Sequence, residues 1–99
     1  MVVTILEAVV PAEHVADLQA AFTTAAKGPL PAGLVRSHLL CASGDGTRWR
    51  LETLWTNRGA LDAMRQSGTP AGVRMFRLAG VEPQLTVFDV AATIEAPPA

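Results

Sequence analysis

His38 carries the most versatile chemistry in the chain, because an imidazole both accepts and donates a proton near neutral pH. The alternative for a strand histidine is a single structural hydrogen bond. Trp49 and Trp55 offer large apolar walls with an indole N–H, suited to stacking on a fused aromatic ring or simply to core packing. Arg74 and Arg77 flank Met75 and Phe76. Either guanidinium could stabilise a phenolate or enolate, or both could belong to a solvated helical face. Glu7 and Asp89 interrupt apolar stretches. They could form an acid–base pair, but buried charge survives only when paired, so Glu7 is expected to meet Arg48 or Arg50. Cys41 is the only cysteine and reads as a small buried hydrophobe. His14 and His38 are the only histidines and fit no zinc spacing, so no metal site is expected.

The elements that must position these residues are marked by punctuation and periodicity. Met1–Val10 and Gln84–Ala92 are apolar almost throughout and read as the first and last strands. Pro11 suits the opening of a helix on which Val15, Leu18, Phe22 and Ala25 recur at helical spacing, and Gly28-Pro29 with Pro31 end it. Leu34–Ala42 and Arg48–Thr56 are the middle strands. Asp45-Gly46 between them is the signature of a type I′ hairpin turn. That turn sets Leu40 opposite Leu51, His38 opposite Thr53 and Arg36 opposite Trp55, all on one side of the sheet with Trp49. Asn57 caps a helix with Leu61 and Met64 on its inner side. Pro70–Leu78 is a second helical piece anchored by Val73 and Phe76 and stopped at Gly80.

The resulting order is β-α-β-β-α-β, an α+β ferredoxin-like arrangement with an antiparallel sheet and both helices on one face. Residues 1–94 form this one domain, and 95–99, with Pro97-Pro98, are expected to be a disordered tail. The end strands are apolar on both faces, yet the chain has helix enough for one. The bare face is therefore expected to meet a second copy of the chain. Composition agrees, with 49% hydrophobic and only 17% charged residues. The net charge of −1 gives no electrostatic case for nucleic acid or an anionic membrane. Without a signal pattern or membrane-length apolar run, a cytoplasmic protein is expected.

A strand ending in Trp55, the turn Thr56-Asn57, and then Gly59-Ala60-Leu61-Asp62-Ala63-Met64 resemble the centre of the antibiotic biosynthesis monooxygenase family. Pro11 after an apolar first strand, Thr69-Pro70 after the second helix, and Leu85-Thr86-Val87-Phe88 in the last strand extend the likeness over nearly the whole chain. The resemblance implies a dimeric α+β barrel, two sheets packing face to face. It also implies a pocket within each subunit between sheet and helices, and oxygenation of aromatic polyketides, anthrones or quinols by dioxygen without flavin or metal.

On that reading His38, Trp55 and Arg74 are the catalytic set, and Arg36, Trp49, Thr53, Met64 and Phe76 contact the substrate. His38, or a water it holds, deprotonates a polycyclic phenol, anthrone or quinol. The anion reduces dioxygen in a dry pocket walled by Trp55, with Arg74 as counter-charge. The chain departs from the family where members often carry Glu two residues before the strand Trp, here Thr53, and His near the end of the Ala-Leu-x-Ala segment, here Met64. The haem-degrading branch uses Asn, Trp and His at positions that fall here at about Ile5, Met64 and Arg74, so haem degradation is not expected. The same fold would also serve an aromatic polyketide cyclase or isomerase, or a non-catalytic dimeric binding protein.

Overall fold

The structure, a computed structural model, describes residues 1–98. The first strand, β1 (Val2–Val9), leads through Pro11 and a 3-10 turn at Ala12–His14 into helix α1 (Val15–Lys27). Strands β2 (Leu34–Cys41) and β3 (Arg48–Trp55) follow. Helices α2 (Arg58–Gln66) and α3 (Ala71–Leu78) precede the last strand, β4 (Gln84–Asp89). Asn57 caps α2 as its sequence suggests, its side-chain oxygen accepting from the Ala60 N–H at 2.8 Å. Gly80, at φ 79°, turns the chain after α3 toward β4. Residues 90–98 carry no helix or strand.

All neighbouring strands are antiparallel, in the order β2-β3-β1-β4, and the fold is α+β and ferredoxin-like. Strand β3 alternates strictly, with Trp49, Leu51, Thr53 and Trp55 buried toward the helices. Across β1 these face Ala8, Leu6, Thr4 and Val2. The main core gathers Leu6, Val10, Leu18, Leu51 and Phe76 between sheet, α1 and α3. A smaller cluster of Val2, Trp55 and Leu61 sits under α2.

The pairing of β2 with β3 differs from the sequence expectation by one residue. Ser37 lies opposite Thr53, Leu39 opposite Leu51 and Cys41 opposite Trp49, whereas His38 faces Glu52 and Leu40 faces Arg50. Asp45-Gly46 is not the centre of a two-residue turn. The loop runs from Ala42 to Thr47, closed by Ala42 N–H on Arg48 O at 2.9 Å, and Gly44 is the residue with positive φ. Asp45 spends its carboxylate inside the loop, accepting from the Thr47 hydroxyl at 2.6 Å and the Thr47 N–H at 3.0 Å. Those bonds hold its carboxyl below the usual aspartate range. Because side chains alternate, a shift of one residue carries His38 and Leu40 to the opposite face from Thr53 and Trp55.

That opposite face has no helix over it. It bears Val3, Ile5, Glu7 and Val9 of β1, with Leu54, Arg50, Leu40, His38 and Phe88 from the neighbouring strands. Val9 and Phe88 are more than half exposed. Glu7 is paired with Arg50 at 2.9 Å, one of the two partners its sequence context suggested, and Asp89 pairs with Arg58 at 3.1 Å. Cys41 is exposed rather than buried, because β2 is an edge strand.

Candidate functional site

A cavity of about 300 Å³ lies between the helical face of the sheet and the helices. Its floor is formed by Thr4 and Leu6 of β1, Leu51, Thr53 and Trp55 of β3, and Ser37 of β2. Phe22 and Ala25 of α1, Pro29–Pro31 beyond it, Met64 of α2 and Met75 of α3 complete the wall. At Gly72 the start of α3 comes down on the sheet. A Cβ there would lie 2.7 Å from Leu51 Cδ2 and 2.8 Å from Leu6 Cδ1, so only glycine allows this approach without displacing either leucine.

The polar groups of the floor form one row. Thr53 stands opposite Thr4 on one side and Ser37 on the other, so three hydroxyls sit at one level across three adjacent strands. Ser37 Oγ and Thr53 Oγ1 are hydrogen-bonded at 2.7 Å. Trp55 reaches diagonally to the row, its indole N–H donating to Thr4 Oγ1 at 3.1 Å. Arg36 is the only charged residue in the lining. It comes from the edge strand beside a bulge, where Leu34 pairs with Trp55 but Arg36 pairs with Leu54. Arg36 therefore shares the face of His38 and also lines the groove there, touching the cavity only at its rim.

Of the residues singled out from sequence, Thr53, Trp55 and Met64 line this cavity, and Arg36 borders both it and the groove on the opposite face. The other four lie elsewhere. His38 is on the face without helices, in a groove with Val3, Arg36, Glu52 and Leu54, bordered by Val90, Thr93 and Glu95 of the C-terminal segment. Arg74 is exposed on the outer side of α3, donating to Thr69 O at 2.8 Å. Phe76 is fully buried in the main core, outside the lining. Trp49 is packed at the other end of the sheet, its indole N–H on Gly46 O at 2.9 Å, beside a larger but charge-lined groove that includes Glu7, Arg48 and Arg50. Thr4 and Ser37 were not anticipated. Their only signal was a hydroxyl side chain in an otherwise apolar strand face.

An apolar cavity with a few convergent polar groups is the usual form of a small-molecule site. The chain belongs to the antibiotic biosynthesis monooxygenase family, whose profile matches residues 1–71. No curated protein matches it in sequence. Among solved structures it is similar to a candidate antibiotic biosynthesis monooxygenase from Deinococcus radiodurans, with TM-score 0.75 and 16% identity over 99% of this chain and 100% of that one. A variant of SnoaB, a cofactor-independent oxygenase from Streptomyces nogalater, superposes with TM-score 0.71 and 18% identity over 96% of this chain and 97% of that one. A variant of MhuD, solved with two manganese protoporphyrin IX molecules per active site, gives TM-score 0.71 and 22% identity over 97% of this chain and 100% of that one. At these identities the likeness is one of fold.

The residues here do not fit a haem. The lining offers neither imidazole nor thiolate, its sulfurs being the thioethers of Met64 and Met75, and its volume is at the small end for ligand cavities. Haemin added to the protein is therefore expected to keep the absorption of unligated haemin. A shifted Soret band saturating at one haemin per chain would show that the cavity opens far wider than its present walls.

Proposed function

We propose that this protein is a cofactor-independent monooxygenase acting on a small aromatic phenol, anthrone or quinol, and that it works as a homodimer joined through the uncovered sheet face. The observation that carries the reading is the cavity itself: apolar walls around a row of hydroxyls, in a family of monooxygenases. No helix among the described residues is long and apolar enough to cross a membrane.

The reaction asks little of the protein. A substrate that loses a proton becomes an electron-rich anion, which gives one electron to dioxygen. The radical pair recombines to a peroxide anion, which takes a proton back from water, and loss of water from the hydroperoxide leaves a carbonyl in place of a ring CH₂ or CH. One oxygen atom enters the product and the other leaves as water. The apolar wall limits side reactions of the anion and its peroxide with bulk water. His38 lies across the sheet from the cavity, so the proton step is not assigned to it. With no imidazole or carboxylate in the lining, the proton goes to water, and the substrate must be acidic enough to give it up.

Oxygen uptake with anthrone and naphthol substrates tests this. One dioxygen consumed per substrate, with His38→Gln at near wild-type rate, is the expected result. A fall of two decades or more in His38→Gln, the range usual for a lost general base, would restore the histidine as base. Turnover without oxygen uptake would point to a cyclase or isomerase. Binding without any turnover would leave a binding protein.

A further inference from the structure

We infer that the hydroxyl row is a two-donor cradle for an oxyanion, so that the cavity holds its ligand as a phenolate or enolate rather than as a neutral phenol. The inference rests on the cavity being the ligand site, as proposed above.

The argument is a count of protons. Trp55 donates to Thr4, so the Thr4 oxygen is an acceptor in that bond, and among the described residues its own O–H makes no hydrogen bond. Ser37 and Thr53 share one hydrogen bond, which uses one of their two protons. Two O–H donors therefore remain on the floor. If Ser37 donates to Thr53, the free proton is on Thr53, next to Thr4 on the adjacent strand, about 5 Å away. An oxygen seated between the two then accepts from both. Each donor is itself polarised from behind, Trp55 acting on Thr4 and Ser37 on Thr53, and such chains strengthen their terminal bond.

A negative charge over the row selects that orientation of the Ser37–Thr53 bond. The opposite orientation would leave the free protons two strands apart, unable to converge. The row offers no carboxylate or imidazole to repel or compete with an anion. Thr4 and Thr53 would thus touch the reacting oxygen, whereas Ser37 and Trp55 position them.

The test exploits opposing signs. Burial of a phenol in an apolar cavity raises its pKa, whereas donors aimed at the charged form lower it. A nitrophenol or nitronaphthol, coloured only when ionised, is titrated free and bound to the protein. The bound probe is expected to ionise at lower pH than the free one. Thr4→Val and Thr53→Val, which keep shape and remove one donor, should each raise the bound midpoint by about one to two pH units. Ser37→Ala should raise it by less.

A bound midpoint above that of the free probe in the wild type overturns the cradle, as do unchanged midpoints in both valine variants. The wild-type sign needs no variant, so a variant that folds poorly cannot mask the answer. A lowered midpoint without oxygen uptake supports the cradle and refutes only the oxygenase reading. Failure of every probe to bind refutes the cavity as the site, and the cradle with it.

Discussion

Phe76→Ala is expected to lower the stability of the protein by about 3–5 kcal/mol, the usual cost of deleting a fully buried aromatic side chain from a core. Phe76 has no exposed surface and packs with Leu18, Val10 and Leu6 where α3 lies on α1 and the sheet. Truncation leaves a void that the sheet cannot close, since its strands are held by their own ladders. Against a total of about 5–15 kcal/mol for a domain of this kind, the loss is large. Urea unfolding should show a lower midpoint with an unchanged slope. Ligand affinity should fall with it, because α3 also brings Gly72 and Met75 to the cavity wall. Arg74→Ala, two residues earlier but exposed, should change stability by no more than about 0.5 kcal/mol. A cost below about 1 kcal/mol for Phe76→Ala, together with lost ligand binding, would show instead that the ring contacts the substrate, as its sequence context first suggested.

What the sequence conveyed, and what it withheld, divides along physical lines. Helix ends were legible because capping and chain reversal depend on a few adjacent residues: Asn57 before α2, Pro11 before α1, Gly80 after α3. Strand β3 was legible because its large apolar residues alternate, and that alternation alone put Thr53 and Trp55 on the cavity side. The register of β2 was not legible. A longer connection costs little more loop-closure entropy than a tight turn. Its length is decided here by the Asp45–Thr47 hydrogen bonds, which no dipeptide signal reports. That single residue of difference moved His38 from cavity to uncovered face. It also placed Ser37 beside Thr53 and completed a row that no one strand reveals. Arg74 went astray for a related reason. On a helix as short as α3, inward Met75 and Phe76 leave their neighbour Arg74 on the outer side, out of reach of the cavity.

The uncovered sheet face carries the last prediction. Val3 sits between Leu54 and Phe88 in a cross-strand apolar row with no helix above. Ile5 beside it is already only 9% exposed, and Val90, Thr93 and Glu95 of the C-terminal segment border the groove there. Phe88 is 53% exposed in the single chain, so it contributes little to the folding of one subunit, yet a second copy seated on this face would bury it. Phe88→Lys should therefore leave the subunit folded and weaken association. Loss of one buried aromatic is worth about 1.5–3 kcal/mol, and two-fold symmetry repeats the substitution in both copies. The dimer dissociation constant should consequently rise by about two to four powers of ten. Leu78→Lys, at a site 69% exposed at the end of α3, serves as the contrast and should leave association unchanged. Sedimentation at low micromolar concentration distinguishes the outcomes, with circular dichroism confirming that each variant is folded. A wild-type protein that sediments as a folded monomer would refute assembly outright. A Phe88→Lys variant that remains a tight dimer would place the interface elsewhere, leaving the apolar row to be covered by something other than a second copy of the chain.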